Sequence, residues 1–166
     1  VARSVAAPLL AASHAALSAT LARGERPAFS REIGAPSVGI VTMQTPDIMS
    51  YANATEAENR RYASRWGYGF HVFDHAIDKT RVPHWSKLHV VQLYLPDYDY
   101  LLWIDADAAF FDQSRRIEEV MGVAAQPEKH MWAQDIWPDY PSIHRNELID
   151  TGIVLFRNSH WTRQFL

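Results

Sequence analysis

The chain has 166 residues, 48% of them apolar, with six Trp, seven Tyr and seven Phe, enough material for one packed domain. Its formal net charge is -3 and no Lys/Arg-rich run marks an anion-binding face, which argues against a nucleic-acid partner. It has no cysteine, which excludes disulfides, cysteine-ligated metals and cysteine nucleophiles.

In chain order, the Ala-rich opening "VARSVAAPLLAASHAALSATLARG" carries Arg3, Pro8, His14 and several Ser. It is too polar for a membrane span and reads as a helical stem or disordered leader. A polar Gly/Pro stretch from Gly24 to Ser37 reads as a linker, so residues 1–36 are expected to precede a domain over 37–166. "SVGIVTM" reads as a buried strand. "SYANATEAENRRYASRWGY" has the composition of a helix, with Ser50 as cap and Gly67 as stop. "GFHVFD" is a second strand. "HWSKLHVVQLYLPDY" places Trp85, Leu88, Val91 and Leu95 at helical spacing, and Pro96 ends it. "YLLWI" is a third strand, too continuously apolar to be half exposed. "MWAQDIW" and "LIDTGIVLF" are further strands, and "NSHWTRQFL" begins a last helix, so the fold is expected to be C-terminally incomplete. This alternation predicts an α/β domain with a largely parallel sheet, in which ligands bind beyond the carboxyl ends of the strands.

Asp105 and Asp107 stand at such an end, directly after "YLLWI". Residues two apart in an extended segment point to the same side, so both carboxylates are expected to face one point, with small Ala106 between them. Two carboxylates that close repel unless a cation or a shared proton intervenes. An all-oxygen site suits Mg²⁺ or Mn²⁺, ions that complete their shell with water and substrate phosphates. A bare Asp-x-Asp says little. Its place after a buried strand gives it weight.

"YLLWIDADAAFFD" resembles the strand and metal-binding Asp-x-Asp of nucleotide-sugar glycosyltransferases with the GT-A fold. "LIDTGIVLFRNSHW", Leu148 to Trp161, resembles the "NTG-x-FL-x-RN-x-x-W" signature of glycosyltransferase family 34. That family includes fungal α-galactosyl- and α-mannosyltransferases and plant xyloglucan xylosyltransferases. "NRRYASRWGYGFHVFD" followed by "HWSKLHVVQLYL" is similar to the family's "Y-x-x-x-HGY" and "W-x-K" elements, in the same order. The likeness covers Ser37 to Leu166.

The resemblance implies a GT-A-type, Rossmann-like sheet flanked by helices. It also implies transfer of a hexosyl or pentosyl group from a nucleotide sugar to a glycan acceptor, with retention. A UDP-sugar is favoured over a GDP-sugar. It implies Asp105 beside the ribose and the Mn²⁺ or Mg²⁺, and Asp107 as the principal metal ligand. Val41, Thr42, Met43 and Gln44 would grip base and ribose. Lys87 would approach the diphosphate or a carboxylate beside it, Ala106 would lie between the two ligands, and Thr151 and Gly152 would line the sugar side. Asp150 stands where the family has Asn, replacing an amide donor by a pure acceptor. Asp150 and Asp135 are the carboxylates to test for a catalytic part. The family's later metal-binding histidine would fall beyond Leu166. The family's setting is the Golgi lumen, as a type II membrane protein wherever a longer chain carries the anchor.

Other residues have simpler readings. His71, His75, His84, His89, His130, His144 and His160 form no zinc-ligand spacing and read as solvated or core-edge side chains. Trp85, Trp103 and Trp161 read as packing residues. Trp132 and Trp137, near Pro138 and Tyr140, could stack on an acceptor sugar or form an aromatic cluster under a loop. Asn53-Ala54-Thr55 is a formal glycosylation sequon placed in a helix. Arg157 and Asn158 are expected to fix the turn after their strand. Two alternatives stand beside the transferase. A phosphohydrolase would use one Asp as nucleophile, but such enzymes carry Thr or Val where this chain has Ala109. A non-catalytic, degenerate transferase domain would bind a sugar nucleotide without turnover.

Overall fold

The computed structural model describes residues 35–74, 83–135 and 149–166. In chain order the elements are strand β1 (Val38–Met43), helix α1 (Met49–Trp66), β2 (Gly69–Phe73), α2 (Ser86–Tyr94), β3 (Tyr100–Ile104), a single turn α3 (Ile117–Val120), β4 (Met131–Asp135), β5 (Ile149–Arg157) and α4 (His160–Phe165). The leader, and with it the expected linker, lies outside the described residues, as do His75, Trp137, Pro138, Tyr140 and His144.

The five strands form one sheet in the order β2-β1-β3-β5-β4. β1 pairs in parallel with β2 and with β3. β5 is antiparallel to both of its neighbours, β3 and β4. Four strands therefore run one way and β5 runs the other. The largely parallel expectation holds for the core of the sheet, and the exception is β5.

Strand alternation divides the interior in two. Val38, Ile40, Tyr100, Leu102 and Ile104 pack with Tyr62 and Ala63 of α1 on one face. Val41, Leu101 and Trp103 pack with Val90, Val91 and Tyr94 of α2 on the other. The helices thus cover opposite faces of a doubly wound sheet. Tyr98 lies across the paired Gly39 and Gly69; a Cβ at Gly69 would fall 2.0 Å from its hydroxyl, so that position accepts no side chain.

Several sequence expectations change. α1 starts at Met49 after a 3-10 turn, Pro46–Ile48, so Ser50 lies inside the first turn instead of capping it. Gly67, at φ 70°, does end the helix. Trp85 belongs to a 3-10 turn ahead of α2 and is 52% exposed, so it is not a core residue. Trp161 is also exposed, stacked between His130 and Phe165 at centroid distances of 5.4 and 5.1 Å. Trp132 is buried: its register opposite Leu155 turns it into the α1-side core, edge-on to Tyr100. It therefore belongs to the aromatic-cluster alternative and is closed to an acceptor sugar. Arg157 and Asn158 do more than shape a turn. The Asn158 side-chain amide donates to Tyr98 O at 2.8 Å, and its backbone N–H donates to Asp99 O at 2.8 Å. The end of β5 is thereby fixed to the start of β3.

Candidate functional site

The sheet order places a topological switch between β1 and β3, because the chain leaves β1 for β2 on one side and returns as β3 on the other. A crevice forms at the carboxyl ends of strands at such a point. The register shows where it opens: β1 pairs with β3 only as far as Val41 opposite Trp103, whereas Thr42 and Met43 pair with β2 alone. Asp105, Ala106 and Asp107 lie at this opening.

The carboxylate pair is not on an extended segment, as the sequence reading assumed. β3 ends at Ile104, and Ala108 N–H donates to Asp105 O at 3.0 Å, closing a β-turn over residues 105–108. Ala106 is buried and Asp107 exposed. Asp105 is half-buried and continues the face of Trp103, whose indole N–H donates to its Oδ1 at 2.6 Å. Trp103 is thus a core residue that also holds the carboxylate, a role its hydrophobic spacing did not suggest.

The opposite direction of β5 brings the second motif here. Because β5 runs antiparallel to β3, its first residues lie at the carboxyl end of β3, and Asp105 N–H donates to Gly152 O at 2.7 Å. The register with β4 jumps from Ala133–Val154 to Gln134–Asp150, so Thr151, Gly152 and Ile153 bulge away from β4. Bulges of this kind re-aim side chains beside functional sites. Asp150 Oδ1 accepts from Gly152 N–H at 2.7 Å. A Cβ on Gly152 would meet Asp150 Oδ1 at 3.0 Å and Asp105 Oδ2 at 3.3 Å, so the glycine lets both carboxylates approach one point.

Lys87, in the first turn of α2, reaches across from the helix. Its Nζ donates to Thr151 O at 2.9 Å and Thr151 Oγ1 at 3.2 Å, and it lies 3.4 Å from Asp105 Oδ1. It also lies 5.4 Å from the Trp103 ring centroid. An ammonium has three hydrogens, and these three acceptors use them all. Lys87 therefore stands beside the Asp105 carboxylate.

Lys87, Asp105, Thr151, Gly152 and Asp150 therefore converge, and Asp107 faces solvent on the adjoining turn. Val41 and Thr42 are buried in the sheet, on the α2 and α1 sides respectively. Thr42 Oγ1 has no hydrogen-bond partner among the described residues. Met43 is half-buried, and the buried Gln44 donates to Glu56 Oε2 at 3.0 Å. Asp135 ends β4 with its backbone opposite Ile149.

Asp105 and Asp107 carry hard carboxylate oxygens of the kind Mg²⁺ and Mn²⁺ accept. No group of three His, Cys, Asp or Glu side chains gathers among the described residues. A divalent cation held by these two side chains would have to complete its shell with water and phosphate oxygens. Among the described histidines, His71 bonds the Tyr98 hydroxyl at 2.6 Å and stacks on Tyr94, and His130 stacks on Trp161.

Sequence reasoning missed the face of α1 turned to this loop. Asn59 is buried; its Nδ2–H donates to Ala108 O at 2.9 Å and its Oδ1 accepts from Phe110 N–H at 3.1 Å. The Thr55 hydroxyl contacts Ala106 O and, at 2.9 Å, Ala52 O. The Tyr62 hydroxyl donates to Arg115 O at 2.7 Å, and its ring stacks on Phe110 at 3.8 Å. Burial, reinforced by the charges of Glu118, Asp112 and Glu119, pushes the Tyr62 hydroxyl far above its usual pKa. At the loop's far end Ser114 donates its hydroxyl and N–H to Asp112, holding that carboxyl below its usual range. The helical spacing of 55, 59 and 62 was the available signal.

Of known proteins, a glycosyltransferase involved in the glycosylation of the major capsid of PBCV-1 is similar in structure, with a TM-score of 0.63 and 19% identity over 78% of this chain. The fold is of the GT-A type. The chain spans 63% of the length of that structure. The galactosyltransferase LgtC, in complex with donor and acceptor sugar analogs, aligns with a TM-score of 0.39 and 13% identity over 75% of this chain and 59% of its own. No protein-family model and no curated protein matches the sequence.

Proposed function

We propose that the chain carries the nucleotide-sugar site of a metal-dependent glycosyltransferase of the family 34 type, moving a hexosyl or pentosyl group to a glycan acceptor with retention. One observation carries this reading: Lys87, the Asp105-Ala106-Asp107 turn and the Thr151–Gly152 bulge meet at the switch point of a GT-A-type sheet.

The chemistry asked of such a site is cleavage of the C1–O bond to a diphosphate through an oxocarbenium-like state. Of the carboxylates here, Lys87 lies beside Asp105 alone, while Asp150 Oδ1 accepts from Gly152 N–H and Asp107 faces solvent. The negative charge of Asp107 and Asp150 thus has no ammonium beside it among these contacts, an imbalance that favours a divalent cation. A bound Mn²⁺ or Mg²⁺ would supply Lewis-acid stabilisation of the leaving diphosphate. Asp105 and Asp107 would hold it. Lys87 and the Trp103 indole fix the Asp105 carboxylate, leaving Oδ2 directed toward Gly152. Gly152 keeps that approach open to the donor. Asp150 is the carboxylate for a direct part at C1, and Asp135 is the second to test. A UDP-sugar is the favoured donor. Action in the Golgi lumen, through an anchor carried elsewhere in a longer chain, belongs to the same proposal; among the described residues no helix is long and apolar enough to cross a membrane.

The test is calorimetric titration of UDP-galactose, UDP-xylose and GDP-mannose, each with and without Mn²⁺, on wild type and Asp107→Ala. Mn²⁺-dependent binding of one donor, lost in the variant, is expected. No Mn²⁺-dependent binding of any donor by folded protein would overturn the reading.

A further inference from the structure

The turn that carries Asp105 and Asp107 has few constraints of its own. It leaves β3 at Ile104, and one internal hydrogen bond closes it, from Ala108 N–H to Asp105 O. Its remaining described backbone bonds go to α1 or to β5. Ala106 O, the carbonyl between the two carboxylates, is met by the Thr55 hydroxyl. Ala108 O accepts from Asn59, and Phe110 N–H donates to the same amide. Thr55 and Asn59 lie four apart on one helix face, so a rigid helix holds the turn at two successive points.

The chemistry of the two side chains suits this task. The Asn59 amide uses one donor and its acceptor on consecutive stretches of the loop, which no carboxylate could do. The Thr55 hydroxyl has a single hydrogen and two carbonyls within reach, Ala52 O on its own helix and Ala106 O across the gap. Donating to Ala106 O releases it from the back-bond that Thr commonly makes inside helices. The threonine of the formal sequon thus has a place in the fold.

We propose that Thr55 and Asn59 are positioning residues for the acidic turn: they fix the backbone on either side of Asp107, and so the direction in which the two carboxylates are presented. This rests on the metal-dependent donor site proposed above. In this role neither side chain needs to touch a ligand: Thr55 acts through the Ala106 carbonyl, and Asn59 through the Ala108 carbonyl and the Phe110 N–H.

The test uses the whole chain with Thr55→Val, Thr55→Ser and Asn59→Ala. Thr55→Val keeps the shape and removes only the hydroxyl, which guards against simple misfolding; Thr55→Ser restores the hydroxyl. Amide hydrogen exchange is read over residues 105–110 and compared with β1 and β3. Mn²⁺ is titrated at fixed UDP, and separately at fixed GDP. Exchange over 105–110 is expected to rise in Thr55→Val and Asn59→Ala by more than any change in β1 and β3, with wild-type exchange in Thr55→Ser. The apparent affinity for Mn²⁺ should fall about tenfold or more in the same two variants, as for other outer-shell partners of metal sites. Unchanged exchange in both variants overturns the proposal, and so does faster exchange with an unchanged Mn²⁺ titration. If wild type shows no Mn²⁺-dependent binding of either nucleotide, the transferase reading fails, while the exchange measurement still decides whether α1 holds the turn.

Discussion

The two helices that flank the site act on it by different means. α1 reaches the loop after β3 through neutral side chains bonded to backbone: Thr55 to Ala106 O, Asn59 to Ala108 O and Phe110 N–H, Tyr62 to Arg115 O. α2 reaches the same region with one charge, Lys87, set between the Asp105 carboxylate and the Thr151 carbonyl. One face constrains where the chain runs, and the other balances the charge it presents. Loss of a backbone clamp should therefore register as stability and loop order. Loss of the ammonium should register in ligand binding.

The sharpest break in this comparison is Asn59→Ala. It leaves a half-buried carbonyl, Ala108 O, and a half-buried N–H, that of Phe110, without their partner, at a cost of about 2 kcal/mol in unfolding free energy. Urea denaturation measures it. A loss comparable to that of an exposed substitution would show that the α1 clamp is not a stabilising element.

Lys87→Met keeps the aliphatic stem against Trp103 and removes the charge. Mn²⁺-dependent donor affinity should change about tenfold, equivalent to about 1.4 kcal/mol, with unfolding free energy moving by less than about 1 kcal/mol. If stability falls as far as in Asn59→Ala, the two faces do not divide the work.

Gly152→Ala probes the junction of β5 with β3. The new methyl would press on the Asp150 and Asp105 carboxylates, at 3.0 and 3.3 Å from their nearest oxygens. Donor binding should weaken while the circular-dichroism spectrum stays that of wild type. Asp150→Asn is the milder companion: it keeps an oxygen for the Gly152 N–H and removes one charge, so folding should be unaffected and any change should appear in turnover or donor choice.

Alkaline titration separates the faces without mutation. Burial, aided by the charges of Tyr98, Asp74 and Asp97, pushes Tyr94 on the α2 side up to about 12. Tyr62 and Tyr68 on the α1 side are pushed higher, both chiefly by burial. Their folded-state values lie above the unfolded value, so the folded state keeps protons that the unfolded chain has lost. Their contribution is intact below about pH 10, the unfolded tyrosine value, and declines as pH rises toward the folded values. Thermal melts should show a falling midpoint above that pH, and ultraviolet titration should show Tyr94 ionising before the α1-side pair. The smallest effect belongs to the exposed Arg61–Glu58 pair, at 2.7 Å. Arg61→Ala should change stability by less than about 0.5 kcal/mol.

Much of this architecture is written in local pattern. The continuous apolar run of Tyr100 to Ile104 specifies a buried strand, and the acids that follow must leave the core, so the position of the candidate site can be read along one stretch of chain. The span of α1 and its end at Gly67 follow equally from composition and a left-handed glycine. Three features do not follow. The run Ile149–Arg157 is apolar enough for a strand in either direction. Had β5 been parallel to β3, Thr151 and Gly152 would lie at the far edge of the sheet; only long-range closure brings them to Asp105. Which carboxylate lies beside Lys87 cannot be read from the sequence, and packing brings Asp105 to it. Thr55 and Asn59 look like ordinary polar positions on a helix because their partners are main-chain atoms about fifty residues away. The sequence by itself determined where carboxylates end a buried strand. The tertiary structure decided which side chains and carbonyls surround them, because strand direction and bonds to a distant backbone depend on how the sheet closes, not on local periodicity.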